Sequence, residues 1–238
     1  MNLFEESAAY VDSKECALEI RDRFVDLVNS TPYLKEHRDY TERMWYGFGE
    51  RAFLWMWKLL ADEMPADFKF LEVGVYVGQI LTLMRMLAEI QRKNAEIYGV
   101  TLLSTFGGND NTFPDIDYRK TIEHFHRYFA LEYPQLIVGD STARAIQAQA
   151  KEHGPYDLVY VDGCHDKSFV KKDLKFYPYL LKKGGFLVVD DCACKKEQPW
   201  GFFQGIVGVC EGVEETVERD PQFKELFCVV HNRVWQRV

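Results

Sequence analysis

The sequence lacks any excess of positive charge. Lysine and arginine total 29 residues against 37 aspartates and glutamates, which gives the 238-residue chain a formal net charge of −8. An acidic surface disfavours non-specific binding to nucleic acid or to anionic lipid, because both are negatively charged. We therefore expect neither nucleic acid nor a membrane as partner. A small ligand held in a local pocket, even an anionic one, remains compatible with this charge.

Long apolar runs and targeting segments are also absent. No apolar stretch approaches the roughly 20 residues that cross a bilayer. The first residues, MNLFEES, contain neither a basic region nor an apolar core, unlike a secretory signal. We therefore expect a cytosolic protein whose cysteines are reduced thiols rather than a disulfide framework. The six cysteines are Cys16, Cys164, Cys192, Cys194, Cys210 and Cys228.

Low-complexity segments and internal repeats are missing too, and 47% hydrophobic with 28% charged residues is ordinary for a globular chain. The length suits one α/β domain at residues 67–238, preceded by a helical extension or lid at residues 1–66. Apolar residues recur at helical spacing in residues 16–28, and residues 49–64 are typical of a buried helix. The aromatic residues within 38–51 either cover the core, their commoner role, or roof a pocket.

Strands alternate with helices from residue 68 onward. The predicted strands are residues 68–73, 96–103, 136–138, 156–161 and 186–189, and the predicted helices are residues 79–93, 117–130, 142–152, 167–181 and 200–217. Gly184 and Gly185 are expected to end the helix over 167–181. Residues 226–230 and 233–238 indicate a final antiparallel pair. This order predicts an α/β fold with a mostly parallel sheet covered on both faces.

Ligands of such sheets bind beyond the carboxyl ends of the strands. The first of these ends reads EVGVYVG, with an acid at Glu72 and glycines at Gly74 and Gly78. A dinucleotide fingerprint would require glycines at positions 74, 76 and 79, but Tyr76 and Gln79 stand there. The spacing instead resembles the first motif of the class I S-adenosylmethionine (SAM) dependent methyltransferases.

Later segments carry the same resemblance. The turn at Asp140 and Ser141 looks like the family's adenine-contacting turn, and YDLVYVDG and KKGGFLVVDD are similar to its fourth and fifth strands. Over residues 68–238 the resemblance implies a Rossmann-like, seven-stranded, mostly parallel sheet with a C-terminal antiparallel pair. It also implies SAM as cofactor, with Gly74, Tyr76 and Gly78 in the loop against its methionine part. Glu72 would order that loop and the cofactor.

The ribose contact departs from the family pattern. Many relatives place an acid at the end of strand two, where this sequence has Thr101. A hydroxyl cannot offer the paired acceptance of a carboxylate. Ser104 or Asp110 in the following loop could replace the acid. We therefore assign the ribose contact to Thr101 and Ser104, with Asp110 as the alternative.

Three carboxylates follow neighbouring strands. Asp162 ends strand four, and Asp190 and Asp191 end strand five. Adjacent strands lie about 5 Å apart, and like charges that close favour a neutralising cation. Oxygen ligands suit Mg²⁺, Mn²⁺ or Ca²⁺. These positions resemble the metal-dependent sugar O-methyltransferases of macrolide and aminocoumarin tailoring and their cephalosporin-pathway relatives, which implies a metal site, with Mg²⁺ expected. The alternative is that Asp190 or Asp191 caps a turn or touches the cofactor.

His165 lies three residues after Asp162, in the segment DGCH. In some of these sugar enzymes this segment supplies the base that removes the proton of the acceptor hydroxyl, a role that suits a near-neutral imidazole. The resemblance thus implies His165 and Asp162 as catalytic residues, Asp162 also contacting cofactor. Alternatively, His165 only binds backbone or substrate at a helix start. The remaining histidines, His37, His124, His126, His153 and His231, are expected at the surface or in packing.

Cys164, His165, Cys192 and Cys194 also permit a structural zinc site, although their spacing lacks a second tight pair. For the acceptor we expect a sugar or a phosphorylated metabolite, read by loops 104–118 and 192–203. The pair Lys195 and Lys196 either attracts a phosphate or is merely solvated. The predicted function is O-methylation of a small molecule. A phenolic acceptor, a non-catalytic SAM-binding role and a homo-oligomer stay open as alternatives.

Overall fold

A computed structural model describes residues 14–45, 47–104, 116–196 and 199–238. The helices are α1 (Lys14–Ser30), α2 (Pro32–Met44), α3 (Phe53–Glu63), α4 (Gln79–Ile90), α5 (Tyr118–Tyr128), α6 (Arg144–His153), α7 (Lys167–Leu174) and α8 (Val207–Glu214). The strands are β1 (Asp67–Val73), β2 (Asn94–Thr101), β3 (Gln135–Val138), β4 (Tyr156–Val161), β5 (Leu181–Val189), β6 (Phe223–Val229) and β7 (Asn232–Arg237). None of the helices within these ranges is long and apolar enough to span a bilayer.

The seven strands form one sheet in the order β3-β2-β1-β4-β5-β7-β6. Strands β1 to β5 are parallel, and β7 runs antiparallel between β5 and β6. Val73 at the end of β1 pairs with Val100 and Val161, and Val161 pairs with Val189. The carboxyl ends of β1, β2, β4 and β5 therefore lie side by side. The predicted Rossmann-like fold with its C-terminal antiparallel pair is confirmed.

Each face of the sheet has its own hydrophobic core. Helices α1, α3 and α4 cover one face, together with buried residues of α2 and α5. Helices α6, α7 and α8 cover the other. Trp57 of α3 lies edge-on to Tyr160 of β4, with ring centroids 4.9 Å apart, and also contacts Phe70 of β1. The described helices before β1 thus share the core of the sheet, and truncating a buried Trp of this kind costs about 3–5 kcal/mol.

The helix predicted over residues 167–181 is wrong in its second half. Helix α7 ends at Leu174, a 3₁₀ turn spans Tyr177–Leu180, and β5 already begins at Leu181. Pro178 has no backbone N–H, and its ring would clash with the carbonyl of Leu174 in a continued helix. Gly184 and Gly185 therefore lie inside β5 instead of ending a helix.

The helix predicted over residues 200–217 is also too long. Helix α8 covers only Val207–Glu214. Gly201 and Gly205 have positive φ angles of 88° and 112°, which a helix does not accommodate. A β-carbon at Gly205 would lie 2.2 Å from the carbonyl oxygen of Asp191. This glycine lets the chain return against the end of β5 before α8 starts.

The expectation of reduced thiols throughout is wrong for one pair. Cys194, after β5, forms a disulfide with Cys210 in α8. The described cysteines outside this disulfide are Cys16, Cys164, Cys192 and Cys228. Cys192 is buried and directs its thiol to the carbonyl oxygen of Val189, 3.2 Å away. The zinc set considered above therefore loses Cys194 to the disulfide and Cys192 to a backbone contact.

Candidate active site

The parallel register of the sheet brings the three predicted carboxylates to one edge. The backbone N–H of Asp162 donates to Val73 (2.8 Å), and that of Asp190 donates to Val161 (3.1 Å), so each acid leaves its strand at the same level. Asp191 adopts a left-handed conformation with φ 53°, which turns the chain directly after the pair. Its carbonyl oxygen accepts a hydrogen bond from Ile206 (2.9 Å), which fixes this turn.

His165 faces two of these carboxylates. Its Nε2 lies 3.8 Å from Oδ1 of Asp162 and 3.4 Å from Oδ2 of Asp191. The facing Asp162 carboxylate raises the pKa of His165 above its usual value, against the opposing effect of burial. Tyr160 donates its hydroxyl to the other oxygen of Asp162 (3.0 Å) and so holds that side chain in place. The imidazole, the carboxylate and the phenol thus form one connected polar group.

His231 also belongs to this group, contrary to the expectation of a surface or packing role. It lies in the turn between β6 and β7, and its Nε2 is 3.4 Å from Oδ1 of Asp190 and 3.7 Å from Oδ1 of Asp191. Burial lowers its pKa to about 4, so the imidazole is neutral at pH 7. In the sequence the only signal was a polar pair, His231 and Asn232, between two apolar strands.

The other histidines behave as expected. His37 and His126 are buried, and burial lowers their pKa to about 3 and about 4. His37 stacks on Phe125 with ring centroids 5.3 Å apart. His153 stacks on Tyr98 at 4.7 Å, and His124 is exposed. Their packing and surface roles are thereby confirmed.

The negative charge of the site has no basic counterpart. In the described ranges, no lysine or arginine forms an ion pair with Asp162, Asp190 or Asp191. Burial, with the neighbouring Asp162 charge, raises the pKa of Asp190 well above its usual range and that of Asp191 to about 6. Carboxylates held this close favour protonation or a bound cation. The donor set therefore fits a divalent ion that prefers oxygen ligands.

The end of β1 carries a second unbalanced group. Glu72 is only 4% exposed, and its Oε2 has no hydrogen-bond partner in the described structure. Burial, with the charge of Asp162, raises its pKa well above the usual range. A buried acceptor without a partner is rare in proteins and indicates a missing partner. SAM, which carries an ammonium and a sulfonium group, fits this edge of the sheet.

Gly74 brings the loop after β1 close to the loop after β4. Its φ is 101°, and a β-carbon there would lie 2.0 Å from the carbonyl oxygen of Asp162 and 2.5 Å from the α-carbon of Gly163. The space beside Gly74 is therefore filled by the backbone after β4, so Gly74 closes the two loops on each other. Gly78 has φ 82° and precedes α4, where a β-carbon would contact Ile122 at 3.1 Å. Tyr76 is half-buried and packs between Phe48 and Tyr118, at 5.6 Å from each ring.

The residues predicted for ribose and adenine lie farther along the same edge. The Thr101 hydroxyl is buried, donates to the carbonyl of Val75 (3.0 Å) and accepts from the N–H of Leu103 (3.0 Å). It therefore orders the two loops and does not face open space. Ser104 is exposed, and Asp110 lies outside the described residues.

The turn after β3 is built by its own hydrogen bonds. Asp140 Oδ1 accepts from the N–H (2.8 Å) and the hydroxyl (2.9 Å) of Thr142. Ser141 donates its hydroxyl to Oδ2 of Asp173 (3.0 Å), a buried carboxyl on α7 that the sequence did not single out. Asp173, Asp162 and His165 line one small cavity, so this turn lies at the end of the acidic group.

The segment after β5 contains the predicted acceptor residues. Lys195 forms an ion pair with Glu214 (2.6 Å), and Lys196 forms one with Glu225 (2.7 Å). Both lysines therefore already have an acidic partner at the place where a phosphate was considered. Trp200 is fully exposed, and Phe203 is half-exposed with its ring edge-on to His231 at 5.1 Å. An apolar ring thus borders the acidic group on this side.

Comparisons with known proteins agree with this geometry. A family model described as a methyltransferase domain matches residues 71–192, slightly more than half of the chain. No curated protein sequence matches this chain. Among solved structures, the O-methyltransferase NovP is 15% identical with TM-score 0.57, the match covering 78% of this chain and 79% of NovP.

Two further solved structures share the fold. CalS11, a TDP-rhamnose 3'-O-methyltransferase, is 16% identical with TM-score 0.54, and the match covers 96% of this chain and 97% of CalS11. MycE, a methyltransferase solved with Mg, SAH and mycinamycin VI, is 17% identical with TM-score 0.53, covering 84% of this chain and 53% of MycE. The chain thus spans about half the length of MycE. With the family match, the chain belongs to the methyltransferase-domain family and is a class I SAM-dependent methyltransferase.

Proposed function

We propose that the protein transfers the methyl group of SAM to a hydroxyl of a small molecule, with a divalent cation at Asp162, Asp190 and Asp191. A sugar, or a metabolite that carries a sugar or a phosphate, is the proposed acceptor. The observation that carries the proposal is the group of three uncompensated carboxylates with His165 beside them, at the same sheet edge as the orphaned Glu72. A methyl acceptor that must lose a proton needs this kind of chemistry.

The comparisons support this acceptor class. CalS11 is a TDP-rhamnose 3'-O-methyltransferase, and MycE was solved with Mg, SAH and mycinamycin VI. NovP is an O-methyltransferase. Half-exposed Phe203 borders the acidic group through His231, and Trp200 is fully exposed on the same segment after β5. Aromatic rings beside polar groups suit the apolar faces of a sugar ring.

The proposed reaction assigns separate roles in metal binding and proton removal to the residues of the acidic group. SAM supplies an electrophilic methyl group, and a divalent ion, with Mg²⁺ expected, lowers the pKa of an acceptor hydroxyl. Asp190 and Asp191 would hold the ion, with Asp162 completing its charge balance. His165 takes the hydroxyl proton at Nε2, and the facing Asp162 stabilises the resulting imidazolium.

Cofactor contacts fall to the neighbouring loops. Glu72 would face the positively charged methionine part of SAM, and Tyr76 would border it. Ser104, Asp140 and Ser141 would line the nucleoside side, while Gly74 and Thr101 shape the loops that do so. Residues 1–66 are proposed as a lid. In this segment the Phe48 ring lies 5.6 Å from the ring of Tyr76, in the loop after β1 that is assigned to the cofactor.

The test measures methyl transfer from labelled SAM to a panel of nucleotide-linked sugars, glycosylated macrolides and phenols. Treatment with EDTA should abolish turnover and leave SAM affinity, measured by calorimetry, unchanged. His165→Gln should lower kcat by roughly 10²–10⁴, the usual contribution of a positioned base. Because a base must be unprotonated to accept the hydroxyl proton, the wild-type rate should fall as the pH drops and His165 becomes protonated, and this fall should be absent from the residual rate of His165→Gln.

The control is Glu152→Gln, which removes an exposed carboxylate at the end of α6, outside the acidic group. Its turnover should stay close to that of the wild type, whereas Asp190→Asn should weaken metal binding and lose most of the activity. Full activity after EDTA would contradict the cation. If only phenols are methylated, the acceptor is a phenol and not a sugar. SAM binding without turnover on any acceptor of the panel would contradict the proposed reaction.

A further inference from the structure

One imidazole reaches the acidic pair from a separate element of the fold. The ligand atoms of Asp190, Asp191 and His231 all lie within 4.8 Å of one another. Metal–nitrogen and metal–oxygen bonds in proteins measure about 2.0–2.2 Å, so two ligands of one ion lie at most about 4.4 Å apart. Small side-chain rotations would therefore let the three side chains share one ion. Among the described residues, no other trio of His, Cys, Asp or Glu is grouped this tightly.

His231 is fixed in this orientation by its surroundings. Its side chain is buried between the edges of Phe53 and Phe203, at ring distances of 4.8 Å and 5.1 Å. Its carbonyl oxygen accepts a hydrogen bond from Cys192 (3.0 Å), which ties the β6–β7 turn to the segment after the acidic pair. This hydrogen bond holds the backbone of the β6–β7 turn beside the acidic pair, so that only side-chain rotations are needed to bring the ligand atoms together.

The neighbouring Asn232 fixes the carboxylate in turn. Its side-chain amide donates to Oδ1 of Asp190 (2.7 Å). Hydrogen bonds of this kind orient metal ligands and are a regular part of metal sites. The β6–β7 turn thus supplies both a nitrogen and a residue that positions an acid.

We propose that Nε2 of His231 is a nitrogen ligand of the divalent cation, beside Asp190 and Asp191. The proposal rests on the proposed function for the presence of a cation and deepens it by naming the class of ion. A mixed nitrogen and oxygen set favours Mn²⁺, Fe²⁺, Co²⁺, Ni²⁺ or Zn²⁺ over Mg²⁺, which takes oxygen ligands almost alone. The expectation of Mg²⁺ from the sequence is thereby replaced by a transition-metal ion.

His165 has a different place in this arrangement. Its Nε2 faces Oδ2 of Asp191, whereas His231 faces Oδ1 of the same carboxylate. One carboxylate thus separates an imidazole that binds the ion from one that remains available for the proton of the acceptor. The two histidines make a matched pair for experiment, since each can be removed without the other.

The test is pulsed electron paramagnetic resonance of Mn²⁺ bound to the full-length protein after metal removal. The wild type should show nitrogen hyperfine coupling. That coupling should disappear in His231→Gln and persist in the control His165→Gln. The Mn²⁺ affinity should fall about 10- to 100-fold in His231→Gln, and the preference for Mn²⁺ over Mg²⁺ in competition should shrink.

Several results would overturn the inference. If the coupling persists in His231→Gln and is lost in His165→Gln, the nitrogen ligand is His165 and the inference is refuted. Bound Mn²⁺ without nitrogen coupling, together with Mg²⁺-supported methyl transfer, would refute the inference and leave the proposed function intact. Failure of any divalent ion to bind would refute both. If His231→Gln does not fold, His165→Gln with histidine labelled with ¹⁵N is measured instead. A ¹⁵N coupling that persists without His165 must come from the other histidine of the acidic group, His231, and its absence would refute the inference.

Discussion

A buried carboxyl beside the site makes stability depend on pH. Asp173 on α7 is 1% exposed, and only one of its oxygens has a partner, the hydroxyl of Ser141. Burial, with the charge of Asp140, raises the pKa of Asp173 to about 7 from a usual 3.8. The folded protein therefore holds a proton between about pH 4 and pH 7 that the unfolded chain releases, and stability falls as the pH rises through this window.

The size of this loss follows from the shift. About three pKa units at roughly 1.4 kcal/mol each give a loss of up to about 4 kcal/mol at pH 8, fully developed only above the folded pKa. Asp173→Asn removes the charge and keeps an acceptor for Ser141. Its free energy of unfolding relative to the wild type should therefore rise by about 2–4 kcal/mol between pH 4 and pH 8.

The assay is urea denaturation of both proteins at half-unit steps of pH. The readout is the change with pH, because a new unpaired amide adds an offset of about 1–3 kcal/mol at every pH. Glu152→Gln, an exposed acid at the end of α6, is the control and should give a curve parallel to the wild type. If the free energy of unfolding of Asp173→Asn also changes with pH in parallel with that of the wild type, Asp173 is already charged in the folded protein at pH 4 and the reasoning fails.

The fold was predictable because its signals are local and repeated. Short β-rich segments alternate with helical ones, and an acid or a glycine follows β1, β3, β4 and β5, which is enough to order a parallel sheet. The errors fell where tertiary contacts override local preference. The segment before α8 is apolar enough for a helix, yet Gly205 must pack on the carbonyl of Asp191, and this contact joins positions far apart in the sequence.

The site was predicted only in the part that follows parallel strands. Asp162, Asp190 and Asp191 meet because the carboxyl ends of neighbouring strands meet, a rule that a sequence pattern carries. His231 arrives on the antiparallel hairpin, whose turn has no fixed place relative to that edge until β7 is known to pair with β5. The close approach of Gly74 to the backbone after β4 was not predictable for a related reason, since the atoms that it approaches belong to another loop.

Two substitutions separate shape from recognition at this edge. Gly74→Ala should destabilise the fold by about 3 kcal/mol or more, because backbone fills the space that its methyl group needs, whereas the control Gly184→Ala, at φ 82° with nothing within 4 Å, should cost only the left-handed strain of about 1–2 kcal/mol. Thermal unfolding would show this, and equal shifts in the two variants would contradict it. Trp200→Ala should leave the melting temperature unchanged, because a fully exposed side chain away from special features contributes within about 0.5 kcal/mol. The same variant should raise the KM for the acceptor and keep the affinity for SAM, because Trp200 is proposed to contact only the acceptor. A loss of SAM affinity equal to the change in KM would place Trp200 in the architecture of the cofactor site instead.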